Sequence, residues 1–281
     1  MNIIFEHGKM NSQKSIGDNV MKTDKELADL YFRINAQIGL TKHVGGSFAT
    51  DELMLLCHVT PYSYILEVGC GVGLATSYIA KNFDCKIMAV DLRSDMLKIA
   101  KTTVKNRGVE KLVEFKIGNA EKLPFKDNTF DAVITESVTA FTEKSKSIAE
   151  YVRVCKKGGY VGLGELTWMN KTPDDIKDFF HLMAGGVRPL YKEDWTDLVK
   201  GAGLTNVIVK TENVKMFKQF KGEVKIYGWN YIFHALGKTI KLYLKDPEFK
   251  SDIKDLTKLT KKGRPKGLTK HTYLGLYVGK K

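Results

Sequence analysis

Residues 64–80, YILEVGCGVGLATSYIA, bring together the residue types best suited to hold a ligand. An apolar run carries Glu67, and Gly69, Gly71 and Gly73 follow at alternate positions before a helical pattern begins. Glycines let the backbone turn sharply and approach a ligand with no Cβ in the way. The helix start beyond offers unpaired N–H groups at the positive end of its dipole. A dinucleotide loop, GxGxxG, would need glycine at 74, where the chain has Leu. Glu67 would repel a pyrophosphate and suits a cationic amino group, such as that of a methionine moiety. A Walker-type phosphate loop is absent. Asp91 closes the apolar run KIMAV, 18 residues beyond Gly73, where a carboxylate can accept both hydroxyls of a ribose. Asn119 follows the run VEFKI, and its side-chain carbonyl can accept from an adenine amine while the N–H of Ala120 donates to the adjacent ring nitrogen.

These residues need a scaffold that brings strand ends together, and the chain supplies alternating strand and helix signals. Strands are expected at Tyr64–Val68, Lys86–Val90, Val113–Ile117, Phe130–Thr135 and Tyr160–Glu165, and helices at 73–82, 94–107, 145–155 and 192–202. Such alternation gives a parallel sheet covered on both faces. Residues 24–39 read as an amphipathic helix with Asp24 as N-cap, and HVGGSFATDELMLLCH as a Gly-Gly turn feeding a second helix. Residues 1–23 show no periodicity. Near the C-terminus, LTNVIVKT and HTYLGLYVGKK read as paired strands. The division expected is N-terminal cap helices over 1–60, a core over 61–211, a helical insertion over 212–270 and a last core strand over 271–281. The insertion is expected to be a lid over an acceptor pocket, separate from the cofactor site.

EVGCGVG, Asp91, GNAEKLPF and NTFDAV together resemble the signature set of class I, Rossmann-like S-adenosylmethionine (SAM)-dependent methyltransferases, and most closely the small-molecule branch of ubiquinone/menaquinone and sterol enzymes. The resemblance covers about residues 24–211 plus the last strand. It implies a doubly wound, seven-stranded α/β sheet, mostly parallel with a reversed last strand, and SAM, with its product S-adenosylhomocysteine, across the strand ends. It implies cofactor contacts from Glu67, Gly69, Gly71, Gly73, Asp91, Leu92, Met96, Asn119, Ala120, Glu121 and Glu136. Asn119 departs from the Asp usual in the family. HVGGSFATDEL resembles the corresponding stretch of phosphoethanolamine N-methyltransferases, which implies that His43 and Val44 lie near the sulfonium. Those enzymes carry a catalytic His after the fourth strand, where this chain has Phe141.

Methyl transfer is an in-line displacement with a neutral leaving group, so a site mainly positions the acceptor. A base is needed only when the acceptor must lose its proton early. His43 and His181, with His234 behind them, are the base candidates. Glu165 either faces the acceptor or caps a turn. Tyr31, Trp168, His181, Tyr191 and Trp229 are candidates to line the acceptor pocket.

The formal charge is +13, and residues 212–270 alone carry 15 Lys and Arg against 6 Asp and Glu. That balance suits an anionic partner: a small, lipidic or anionic acceptor, with peripheral association at an anionic membrane. Nucleic acid is not expected, since no motif for exocyclic base amines and no RNA-binding appendage is present. RNA or protein methylation and non-catalytic SAM binding stay open as alternatives. The four cysteines, Cys57, Cys70, Cys85 and Cys155, form no CxxC pair, so no metal is expected. No signal-peptide layout or membrane-length run is visible, and a cytoplasmic protein is expected.

Overall fold

The computed structural model describes residues 22–169, 171–259 and 263–281; the expectation for the first 21 residues lies outside them. Its spine is one sheet built from β1 (Tyr64–Val68), β2 (Lys86–Asp91), β3 (Val113–Ile117), β4 (Phe130–Glu136), β5 (Cys155–Trp168), β6 (Leu190–Tyr191), β7 (Thr205–Asn213) and β8 (Tyr273–Lys280). The order across the sheet is β3-β2-β1-β4-β5-β8-β7, with the two-residue β6 paired on β5. β1 to β5 pair in parallel, and β8 runs antiparallel between β5 and β7. The central strands are buried on both faces, as Ile65 and Leu66 in β1 illustrate, which is why they read as continuous apolar runs rather than alternating ones.

β5 begins five residues earlier than expected. Lys156-Lys157-Gly158-Gly159 has turn composition, yet the chain end secures it: Gly158 N–H donates to Lys281 O at 2.8 Å and Lys281 N–H to Gly159 O at 2.9 Å. Gly158, at φ +81°, supplies the irregularity next to the shift in the β4–β5 register.

Helices α1 (Asp24–Ile38) and α2 (Gly46–Leu56) precede the sheet. Then α3 (Leu74–Phe83), α4 (Ser94–Asn106), α5 (Lys144–Val154), α6 (Asp174–Met183) and α7 (Lys192–Gly201) alternate with its strands. Thr23, not Asp24, caps α1: its hydroxyl accepts Glu26 N–H while Glu26 accepts Thr23 N–H, a reciprocal capping box. Asp24 is thereby freed to bind elsewhere. Between β7 and β8 lie α8 (Met216–Tyr227), α9 (Trp229–Lys245), α10 (Pro247–Leu259) and α11 (Leu268–His271). They fold back over the N-terminal helices. Arg33 of α1 grips Asp252 of α10 with two hydrogen bonds of 2.6 and 2.8 Å. Gly222 of α8 meets Gly46 of α2 so closely that a Cβ on Gly46 would lie 3.0 Å from the Gly222 backbone. Among the described residues, no helix is long and apolar enough to cross a membrane.

Candidate functional site

A cavity of about 440 Å³ opens at the C-terminal ends of β1, β2 and β4, roofed by α1, the 39–45 loop and the end of α8. Open α/β sheets bind ligands at this place, where successive crossovers leave in opposite directions. Each wall follows from local sequence. Gly69, Gly71 and Gly73 all have positive φ (+78°, +53° and +76°), which suits glycine. Space demands it as well: a Cβ at 69 would lie 2.3 Å from Val138, at 71 2.6 Å from Thr41, and at 73 2.9 Å from Ala100.

Glu67 stands in the floor, fully enclosed. Its Oε2 is buried without a hydrogen-bond partner among the described residues. Burial pushes its carboxyl up to about 8; the neighbouring Thr76 hydroxyl pulls the other way, and the nearby Glu136 and Asp91 charges push up. A buried carboxylate oxygen facing a cavity with no partner is suited to a ligand cation. Asp91, at the end of β2, accepts Gly71 N–H on Oδ2 and Arg93 N–H on Oδ1, both at 2.9 Å. One lone pair on each oxygen remains for a vicinal diol. Burial raises its pKa and these two N–H groups pull it back. Leu92, Met96, Ala120 and Glu121 complete the lining on the Asp91 side of the cavity. Asn119 lies there too, but its Oδ1 already accepts Glu121 N–H at 2.9 Å, so one of its lone pairs serves the turn.

Opposite Glu67, three polar side chains meet. Glu136 ends β4 and is partly buried; Thr50 Oγ lies 3.0 and 3.2 Å from its two carboxylate oxygens. His43 Nε2 is 3.2 Å from Thr50 Oγ and 3.4 Å from Glu136 Oε1. Burial pushes the Glu136 pKa up, and the charge of His43 and the Thr50 hydrogen bond oppose that. With Nε2 turned to Glu136 and Thr50, His43 Nδ1 makes no hydrogen bond among the described residues and is available as a base. Ser137, next after Glu136, is held at φ +58° and accepts Val44 N–H at 3.1 Å, locking the His43 loop onto the end of β4. A non-glycine residue in that conformation is uncommon and clusters at working sites.

Of the helices between β7 and β8, α8 contributes directly to this site. Tyr227 lines the cavity, and its hydroxyl donates to Thr41 O at 3.0 Å. Gln219 accepts Gly45 N–H at 2.7 Å and donates to His43 O at 3.0 Å. Lys42 pairs with Glu223 at 2.9 Å. Sequence reading did not single out Thr50, Phe32 or Tyr227. Thr50 alone had a signal, because helical spacing from Gly46 turns it toward the His43 loop. Phe141 lines the cavity beside Phe32, ring centroids 5.3 Å apart.

The acceptor candidates disperse. His181 bonds Asp24 at 3.0 Å and lies 3.3 Å from Val187 O, with Arg188 on the same aspartate, so it pins α6 to α1. Trp168 is buried against Phe180, Tyr191 lies under Lys177, and Trp229 stacks on Phe233 at the surface. Tyr31 packs edge-on against Phe32. None of these five lines the cavity. His234 is exposed. Glu165 lies within β5 and caps the turn after β4, its Oε1 accepting Val138 and Thr139 N–H at 3.1 and 2.8 Å. Burial pushes its carboxyl up to about 7.

Residues 66–163, which hold the glycine loop, Asp91, the 119–121 turn and Glu136, match the methyltransferase domain family. An uncharacterized protein of Haemophilus influenzae is 32% identical over 177 residues, 61% of this chain and 70% of that protein. The chain belongs to the SAM-dependent methyltransferase family. Phosphoethanolamine N-methyltransferase 3 of Arabidopsis thaliana is 26% identical over 182 residues, 64% of this chain but 36% of that longer protein. Among solved structures, the [4+2]-cyclase SpnF shares the fold, with a TM-score of 0.66 at 18% identity over 94% of this chain and 97% of that one. SAM is the cofactor of this methyltransferase, and the orphaned Glu67 oxygen, the backbone-held Asp91 and the glycine turn fit it.

Proposed function

We propose that the protein methylates a small, anionic or lipid-like acceptor, with His43 as the proton acceptor and Glu136 and Thr50 orienting its ring. One observation carries this reading: a single cavity is lined by the Glu67 carboxyl, Asp91, His43 and Glu136, and Thr50 lies within hydrogen-bond distance of the last two. SAM supplies an electrophilic methyl on a cationic sulfur. Glu67 holds the methionine amine, Asp91 the ribose diol, and the Ala120 N–H an adenine ring nitrogen. Phe32, Phe141 and Tyr227 keep water away from the reacting groups. His43 Nδ1 takes the proton of an acceptor N–H or O–H as its lone pair attacks, and the Glu136 carboxylate stabilises the imidazolium that results. Lys25 lines the cavity with no acidic partner among the described residues, which favours an anionic acceptor.

The test is methyl-labelled SAM incubated with the protein and a metabolite extract, with and without ribonuclease. Label should pass to a small organic-soluble or anionic product regardless of nuclease. Label confined to RNA or to protein would overturn the reading. S-adenosylhomocysteine binding without any transfer would favour a non-methylating use of the fold.

A further inference from the structure

The outer faces of α8 and α9 carry an apolar surface that the cofactor site does not use. Along α9, Trp229, Phe233, Leu236, Ile240 and Leu244 are all more than half exposed. At 100° per residue they fall within one narrow stripe. Phe220 of α8 extends it, its ring centroid 5.7 Å from that of Trp229, and Trp229 stacks on Phe233 at 5.9 Å. The opposite side of α9, around Ala235, packs inward. The stripe is therefore not the core-facing side of the helix.

Charge decides what covers it. α9 contains no Asp or Glu, and its Lys238, Lys241 and Lys245 are exposed without an acidic partner among the described residues. From the middle of the stripe Lys241 lies about 100° round the helix, Lys245 about 140° and Lys238 about 160°, with the Lys238 ammonium turned back toward Gly39. On the α8 side, the exposed Lys221 sits over the Phe217 ring. A second copy of this face would set lysine against lysine. A bilayer with anionic headgroups accepts both parts: rings and aliphatic chains below the headgroups, ammonium groups level with them.

We infer that the α8–α9 face docks on anionic lipid bilayers, with Trp229 and Phe233 inserted and Lys241 and Lys221 at the headgroups. Trp229 lies two residues from Tyr227, which lines the cavity, so docking sets the site beside the lipid surface. This placement deepens the reading of a lipid-like acceptor, but binding can be measured without any acceptor.

The experiment is co-sedimentation of the full chain with phosphatidylcholine vesicles, with and without phosphatidylserine, at low and high salt, alongside tryptophan emission. Of the 3 tryptophans, Trp168 and Trp195 are buried at 3% and 0% exposure, so a blue shift reports Trp229. Binding and a blue shift should appear with phosphatidylserine only and weaken with salt. Lys241→Gln and Lys221→Gln should each lower affinity roughly fivefold, and Phe233→Glu should abolish the shift. S-adenosylhomocysteine binding, measured by calorimetry on every variant, separates loss of docking from loss of the folded cofactor site. No co-sedimentation of the wild type with phosphatidylserine vesicles at low salt would overturn the inference. So would a concentration-dependent dimer that Phe233→Glu dissolves, which would give the face to a second copy.

Discussion

Glu67 is a carboxyl that burial holds up to about 8, in a cavity whose ligand brings a cation. At neutral pH the ligand-free protein keeps it largely protonated. Binding the methionine amine favours the ionised form, so its pKa falls and a proton leaves. SAM affinity should therefore rise with pH between about 5 and 7, where the ligand amine is still charged. Calorimetry in buffers of different ionisation heat should show net proton release, and Glu67→Gln should abolish that release and weaken binding roughly tenfold or more. A pH-independent affinity in the wild type would remove Glu67 from the amine site. His43 and Glu136 pose a different question, one of rate. With the acceptor found by label transfer, His43→Ala should cut kcat by roughly 10²–10⁴ while S-adenosylhomocysteine affinity stays within about threefold. Glu136→Gln should retain part of the rate and shift the pH profile. Unchanged turnover in His43→Ala would mean that the cavity positions the acceptor without a base.

At the scale of elements, the glycine turn between β1 and α3 can be tested without an acceptor. Gly71→Ala places a side chain at φ +53° and 2.6 Å from Thr41, so the loop that carries His43 must move. The strained backbone alone costs about 1–3 kcal/mol. S-adenosylhomocysteine affinity should fall about tenfold to a hundredfold while the far-ultraviolet circular dichroism is kept; wild-type affinity would mean the turn yields freely. This turn was legible in the sequence because positive-φ glycines next to an apolar strand leave a composition signature. The bounds Tyr64–Val68 were legible because a strand buried on both faces reads as a nearly continuous apolar run, whereas the edge strand Val113–Ile117 showed itself by apolar residues alternating with Glu114 and Lys116. Asp91, Glu136 and His43 meet around one cavity because β2 and β4 end at the same edge as β1. The start of β5 was hidden in Lys-Lys-Gly-Gly, whose strand pairing comes from the chain end more than 100 residues away. The acceptor candidates lie away from this cavity for a different reason. Trp168, Tyr191 and Trp229 were chosen as aromatic residues, and an aromatic side chain serves a core, a surface stripe or a cavity equally well. The role of α8 as a clamp on residues 39–45 depends on Gln219, Glu223 and Tyr227 reaching across almost 200 residues of sequence, a pairing that no local pattern encodes.

For the whole molecule, the buried carboxyls turn a site property into a stability profile. Glu67 and Glu165 are held up to about 8 and about 7, and burial also raises Glu136 and Asp91. In the unfolded chain a glutamate titrates near 4.3. The folded state thus prefers the protonated forms. Their contribution is fully present below the unfolded value and is lost as pH rises through the folded values. The ligand-free protein should lose a few kcal/mol of stability between about pH 5 and pH 8, and its melting temperature should fall by several degrees over that window. Glu165→Gln should flatten part of the decline, since its amide oxygen can still accept the Val138 and Thr139 N–H groups while the titrating proton is gone. Glu67→Gln should flatten more, because that carboxyl is held further above its unfolded value. Saturating S-adenosylhomocysteine brings an amine to Glu67, so the stabilisation it confers should grow as pH rises toward 7. Differential scanning fluorimetry across the window, with and without ligand, reads all of these curves together. A ligand-free melting temperature that climbs from pH 5 to pH 8 would show that Glu67 and Glu165 are ionised in the folded protein, and the amine-binding role of Glu67 would then rest on charge already in place rather than on charge that the ligand induces.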